Sequence, residues 1–305
     1  MELYCITGFL GAGKTTFLKN FIRLFEHRKI FLLINEFGKV GVDASLLRAM
    51  HATLAEINNG SIFCACRLDQ FEAALEDAVR QKPDVILVEA SGLSDPTNIR
   101  KVLSQPMYRS IDYKGCICLV DAVRFEKVVR TARVCPKQIA VSSLALLNKT
   151  DLASLVNLEN AAQLIREINP AIAIQKTIYG AFDAAWLPLI VPQVAVEESD
   201  FGADITLQKA SISIAHTMSI AQLHSLLAML AEDTYRMKGF VRLEQQNYLV
   251  DCVGPMIQIL PYEKEPNDAL GTIVLLAGQG MPLRKSIQKA TAWYSEYITE
   301  GKNDR

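Results

Sequence analysis

The eight residues Gly8-Phe9-Leu10-Gly11-Ala12-Gly13-Lys14-Thr15 constrain this chain more than any other stretch, because they complete the pattern GxxxxGK[ST] between an apolar run and a helical one. Glycines let a backbone wrap until its N–H groups converge on phosphate oxygens, and the helix N-terminus that follows adds partial positive charge. Lys14 is expected to reach the β and γ phosphates and the Thr15 hydroxyl to bind Mg²⁺. Gly8, Gly11, Ala12, Gly13 and Thr16 complete the cradle.

A chain of 305 residues has room for one nucleotide-sized α/β domain and a smaller second unit. Short β-branched runs at 3–7, 30–35, 85–89, 116–121 and 144–148 alternate with helical stretches at 15–25, 68–81 and 157–168. That alternation predicts a mostly parallel sheet covered by helices, a P-loop NTPase domain over residues 1–190. At 191–204 the composition shifts to Pro, Glu, Ser, Asp and Gly, as in a linker. Residues 205–305 then carry strand patterns at 206–215, 239–244, 248–253, 256–260 and 272–276, with helices at 219–233 and 282–299, which predicts a smaller α+β domain.

Composition narrows the partners. Lys plus Arg (32) nearly balance Asp plus Glu (33), so no strong field draws the chain to nucleic acid or anionic lipid. No apolar run reaches the roughly 18 residues of a bilayer helix, and the N-terminus runs straight into the glycine motif rather than a cleavage site. A soluble, unexported, cytoplasmic protein is expected. Seven cysteines, an odd number and unevenly spaced, predict reduced thiols rather than a disulfide framework. Cys5, Cys116, Cys118 and Cys252 sit in apolar strand-like runs and read as small core hydrophobes.

Two further motifs refine the nucleotide. Val85-Ile86-Leu87-Val88-Glu89 ends an apolar strand on a carboxylate placed for the magnesium shell, directly or through water. Gly92 follows where a backbone N–H can sense a γ-phosphate, so residues 91–96 are expected to be ordered by GTP and released on hydrolysis. Asn148-Lys149-Thr150-Asp151 follows the run 144–147, and a carboxylate at Asp151 can accept from guanine N1–H and the exocyclic amine together. Adenine has no such donor pair, so the motif favours GTP over ATP. Residues 177–180 are a candidate loop beside the base.

Together with Asn35-Glu36-Phe37-Gly38-Lys39-Val40-Gly41-Val42-Asp43, these motifs closely resemble the CobW-like GTPases, relatives of the UreG and HypB metallochaperones. The likeness includes Glu-x-Ser-Gly at Glu89 to Gly92, and it extends to Lys238-Gly239-Phe240-Val241-Arg242-Leu243 in the second domain. The resemblance implies slow GTP hydrolysis to GDP and phosphate, coupled to delivery of a transition metal, typically zinc or cobalt, to a client protein. It also implies a role for Asp43 in binding Mg²⁺ or orienting the attacking water. Where the family has Gly-Cys-x-Cys-Cys, this chain has Gly60-Ser61-Ile62-Phe63-Cys64-Ala65-Cys66-Arg67, so only Cys64 falls on a family cysteine. Residues two apart in an extended segment point the same way, so Cys66 can restore a second thiolate. With Glu36, which the family pattern sets near this loop, Cys64 and Cys66 would form a three-ligand site with an open position.

Several alternatives stay open at this point. Cys64 and Cys66 can be core or a redox pair, and the chain a metal-free GTP-gated switch that assists a corrinoid- or other cofactor-dependent protein. A small-metabolite kinase would need no guanine preference. A homodimer across the nucleotide is compatible with the class but fixed by no residue.

Overall fold

A computed structural model describes residues 1–35, 52–57, 68–193, 207–263, 270–278 and 280–300. The chain divides into two compact units, Met1–Asp204 and Ile205–Arg305.

In the first unit seven strands, β1 (Glu2–Thr7), β2 (Ile30–Asn35), β3 (Ala52–Ile57), β4 (Val85–Glu89), β5 (Asp112–Asp121), β6 (Leu144–Asn148) and β7 (Ala173–Lys176), form one sheet. Its order is β3-β2-β4-β1-β5-β6-β7, and every neighbouring pair is parallel. The helices are α1 (Lys14–Phe21), α2 (Leu68–Gln81), α3 (Ile99–Leu103), α4 (Phe125–Thr131), α5 (Val134–Ala140) and α6 (Leu155–Ile168). The central strands β4 and β6 are buried along their whole length, which is why they read as unbroken apolar runs. Along β1, Leu3 and Cys5 join Phe31, Phe71 and Leu75 in one core, while Tyr4 and Ile6 join Phe17, Leu18 and Phe21 in the other. On the second face Phe17 stacks on Phe21 with centroids 5.0 Å apart, and Phe182 meets both edge-on. Full burial of each such ring stabilises by about 2–3 kcal/mol, and here it fixes α1 to the sheet directly behind the glycine loop. The expected helix over 15–25 is accordingly divided: α1 ends at Phe21 and a 3₁₀ turn, Ile22–Phe25, completes it.

The second unit is a six-stranded antiparallel sheet of β8 (Leu207–Ile214), β9 (Arg236–Leu243), β10 (Gln246–Val253), β11 (Met256–Pro261), β12 (Thr272–Gly278) and β13 (Ile298–Glu300), in the order β11-β10-β9-β12-β8-β13. Helices α7 (Ile220–Ala231) and α8 (Leu283–Trp293) add Leu223, Leu226, Leu227, Leu230 and Ile287 to its core. A capping box starts α7: the Ser219 hydroxyl accepts from Gln222 N–H, and the Gln222 side chain accepts from Ser219 N–H. The last helix is shorter than the expected 282–299. Tyr294 leaves the helical region at φ −123°, and the chain turns so that Ile298 pairs with Ile214. The apolar Ile298 is buried by that pairing, which no helical period could show. The expected linker lies outside the described residues from 194 to 204.

Candidate functional site

The site is built at the C-terminal edge of the parallel sheet, where the loops after β1, β4, β5, β6 and β7 meet. The loop after β1 has the backbone its glycines permit. Gly8, Gly11 and Gly13 take φ of 134°, 73° and 99°. A Cβ on Gly8 would fall 2.2 Å from the Leu119 carbonyl oxygen, and one on Gly13 would fall 2.4 Å from Asn148 Nδ2, so only glycine fits either place. α1 begins at Lys14 with no capping side chain and no acidic residue in its first turn. Its leading N–H groups, on Lys14, Thr15 and Thr16, therefore have no intrahelical acceptor. Ala12 closes the loop, its N–H donating to the Phe9 carbonyl at 3.2 Å. Lys14 Nζ folds back over the loop and donates to the carbonyls of Gly8 (2.8 Å) and Phe9 (3.2 Å). Uncapped N–H groups at a helix start with a lysine folded over the loop are groups whose charge suits phosphate oxygens.

Glu89 at the end of β4 is only 3% exposed, and its Oε1 accepts from the Thr15 hydroxyl at 3.1 Å. Two oxygen ligands at contact distance, one of them anionic, are a donor set that suits Mg²⁺. Thr15 and Glu89 are the residues that would hold that ion, whose chemistry is to neutralise phosphate charge. Gly92 packs directly on the loop: an added Cβ would lie 2.7 Å from Leu10 N.

The second loop pair carries the other motif. Asn148 is 2% exposed and braces two loops, Nδ2 donating to the Ala12 carbonyl (2.9 Å) and Oδ1 accepting from Gly180 N–H (3.0 Å). Lys149 adopts φ 62°, and its Nζ donates to Asp121 Oδ2 at 2.7 Å. Thr150 donates its hydroxyl to the Thr177 carbonyl at 3.1 Å, which joins the loop after β6 to that after β7. Asp151 stands exposed beyond them. Residues 177–180 lie beside this motif: Tyr179 and Gly180 have φ of 52° and 62°, and Asn20 Nδ2 donates to both of their carbonyls.

Two participants escape a motif search. Asp121 ends β5, where its Oδ1 accepts from the N–H groups of Val123 and Arg124 while Oδ2 holds Lys149. Its signal was its place, a carboxylate closing a predicted strand at the ligand-binding edge. Gln138 on α5 reaches the segment after β4, and nothing in the sequence marks it.

Glu36, Asp43, Cys64 and Cys66 lie outside the described residues. The other five cysteines are buried free thiols. A hydrogen bond with Cys116 together with burial holds the Cys5 thiol well above its usual range, and burial does the same to Cys118. Burial also pushes Cys135 up to about 12 and Cys252 up to about 11. Cys5, Cys116, Cys118 and Cys252 are buried core groups as anticipated, and Cys135, for which the sequence carried no expectation, is buried as well. Among the described residues no cluster of three or more His, Cys, Asp or Glu is placed to hold a metal, and no helix is long and apolar enough to cross a membrane.

Comparison with known proteins bears on the whole arrangement. The description "CobW/HypB/UreG, nucleotide-binding domain" matches residues 2–176, and "Cobalamin synthesis protein cobW C-terminal domain" matches residues 207–291. The zinc chaperone YeiR of Escherichia coli (strain K12) is 35% identical over 153 residues, which cover 48% of this chain and 45% of YeiR. The zinc chaperone YjiA of the same organism is 30% identical over 190 residues, 60% of this chain and 59% of YjiA. The chain thus spans about half the length of these curated relatives. The crystal structure of zinc-bound YjiA GTPase superposes with a TM-score of 0.48 at 21% identity, over 96% of this chain and 98% of that one.

Proposed function

The chain belongs to the CobW/HypB/UreG family of nucleotide-binding proteins, and from that membership and the site geometry we propose that it is a GTP-hydrolysing metallochaperone. The observation that carries the nucleotide reading is the contact of Thr15 with Glu89 beneath the loop that Lys14 crosses. In this reading the N–H groups of Gly11 to Thr16 and Lys14 Nζ bind the phosphates, and Thr15 and Glu89 hold Mg²⁺. Asp151 selects guanine, with Lys149 beside it and Asn148 bracing the loops. Gly92 senses the γ-phosphate. Slow hydrolysis to GDP and phosphate follows from positioning and charge neutralisation, and no arginine from this chain is assigned to the transition state. Asp43 orients the attacking water or joins the Mg²⁺ shell.

The cargo is a transition metal, held by Cys64, Cys66 and Glu36 and passed to a client metalloprotein. Zinc is favoured over cobalt, because three of the curated relatives are named zinc chaperones. The balanced charge argues against a strong pull toward nucleic acid or anionic lipid, and a cytoplasmic setting suits a reduced thiol pair. The metal-free switch has weaker support, since its basis is the departure from the family's three-cysteine motif alone.

The deciding experiment is a competition titration of Zn²⁺ and Co²⁺ with GDP and with a non-hydrolysable GTP analogue, on the wild type and on the Cys64→Ser, Cys66→Ser double variant. Tight binding that needs both thiols and changes with nucleotide is expected. Weak binding indifferent to the cysteines would leave the metal-free switch.

A further inference from the structure

Gln138 belongs to none of the nucleotide motifs, yet it is fully buried on α5 with its amide turned to the segment after β4. Nε2 donates to the Gly92 carbonyl at 3.2 Å and to the Ser94 carbonyl at 3.1 Å. Its own Oε1 has no hydrogen-bond partner among the described residues. A buried amide with an unmet acceptor is costly, and an apolar side chain of the same length would pack there without that cost. What the amide alone provides is a pair of donors that fix the backbone on both sides of Leu93.

The neighbouring residue grips the same segment. Lys137 Nζ lies 2.8 Å from Asp95 Oδ2, while Asp95 Oδ1 accepts from Thr97 N–H and caps the turn Pro96–Asn98. The helix that carries both side chains is itself anchored. Asn169 Nδ2 donates to the carbonyls of Ile139, Ala140 and Ser142 at the end of α5. On its opposite side the gripped segment rests on the phosphate loop, where Gly92 leaves no room for a Cβ against Leu10.

We propose that Gln138 is a positioning residue: through α5 it holds Gly92 against the phosphate loop and so sets how strongly the site prefers GTP to GDP. The proposal rests on the reading of this site as a GTPase. In that reading Gly92 meets the γ-phosphate, so a hold on Gly92 acts on GTP and leaves GDP nearly untouched.

The test is Gln138→Met, which keeps length and burial and removes both donors. For the full chain with Mg²⁺, affinity for a non-hydrolysable GTP analogue is expected to fall about tenfold, within the usual 5- to 150-fold range of coupling between sites, while GDP affinity changes less than about twofold. Equal losses for both nucleotides, or no loss, would overturn the proposal. Hydrogen exchange supplies a readout independent of nucleotide. The N–H groups of Leu93, Ser94 and Thr97 are bonded within the segment, and they are expected to exchange faster in the variant while β1 and β6 keep their protection. Unchanged exchange would also overturn it. A wild type that binds neither nucleotide would sink the GTPase reading by itself, and the exchange result would still decide whether Gln138 holds the segment. Should Gln138→Met fold poorly, Lys137→Met removes the adjacent grip from a half-exposed position, and an unshifted GTP-to-GDP ratio there counts against the clamp.

Discussion

Single residues divide here into those whose chemistry names them and those named only by what they touch. Asp151 is of the first kind, since a carboxylate after Asn148-Lys149-Thr150 matches the donor pair of guanine and of no other common base. Asp151→Asn replaces two acceptors by one acceptor and a donor: its oxygen still meets N1–H, while its N–H opposes the guanine amine and meets the carbonyl that xanthine has in place of that amine. One hydrogen bond is lost and two donors face each other, so GTP affinity is expected to fall about 100-fold or more. Competition between GTP and XTP for the variant measures it, and a variant that still prefers GTP would refute the assignment of the base site. The contacts of Lys14, Thr15 and Glu89 were legible as well, because their motifs already predict that Lys14 folds over the loop and that Thr15 meets Glu89. Asp121 and Gln138 were not, because each acts on a loop that only the fold brings near: Asp121 on Lys149, 28 positions on, and Gln138 on Gly92, 46 positions back.

Among elements, legibility followed burial. β1, β2, β4 and β6 stand in the middle of the sheet with both faces covered, and their unbroken apolar runs set their limits within a residue. β3 lies at the edge with partly exposed residues, so Ala52–Ile57 carries no comparable run. The helices α4 and α5 have seven residues each, too short for a 3.6-residue period to emerge, and α5 is the one that bears Gln138. Connections between elements are equally hidden. Asn148 reads as a base-site residue, while in space it joins the loop after β1 to that after β7. Asn148→Ala would leave the Ala12 carbonyl and the Gly180 N–H unmet in a buried place, at a cost of about 2–4 kcal/mol. Urea denaturation of the variant is expected to show that loss at an unchanged slope; a midpoint equal to the wild type would mean that the two loops are held by other contacts.

At the scale of the whole molecule, the proposed metal-carrying GTPase has to obey reciprocity, and this yields the most demanding consequence of the proposal. A carrier must hold its cargo in one nucleotide state and release it in the other, so GTP is expected to raise zinc affinity over GDP, by about 5- to 150-fold if the coupling is of ordinary size. Zinc must then raise the affinity for the GTP analogue, relative to GDP, by the same factor, because both describe one thermodynamic cycle. Titrating zinc at saturating nucleotide measures one leg, and titrating nucleotide at saturating zinc measures the other. The Cys64→Ser, Cys66→Ser variant separates this coupling from general damage: both legs should drop to unity while GTP binding without zinc stays at its wild-type value, since the phosphate loop, Thr15 and Glu89 are intact. Two legs near unity in the wild type would mean that metal and nucleotide occupy the same chain without informing one another, and delivery driven by hydrolysis would then have no physical basis.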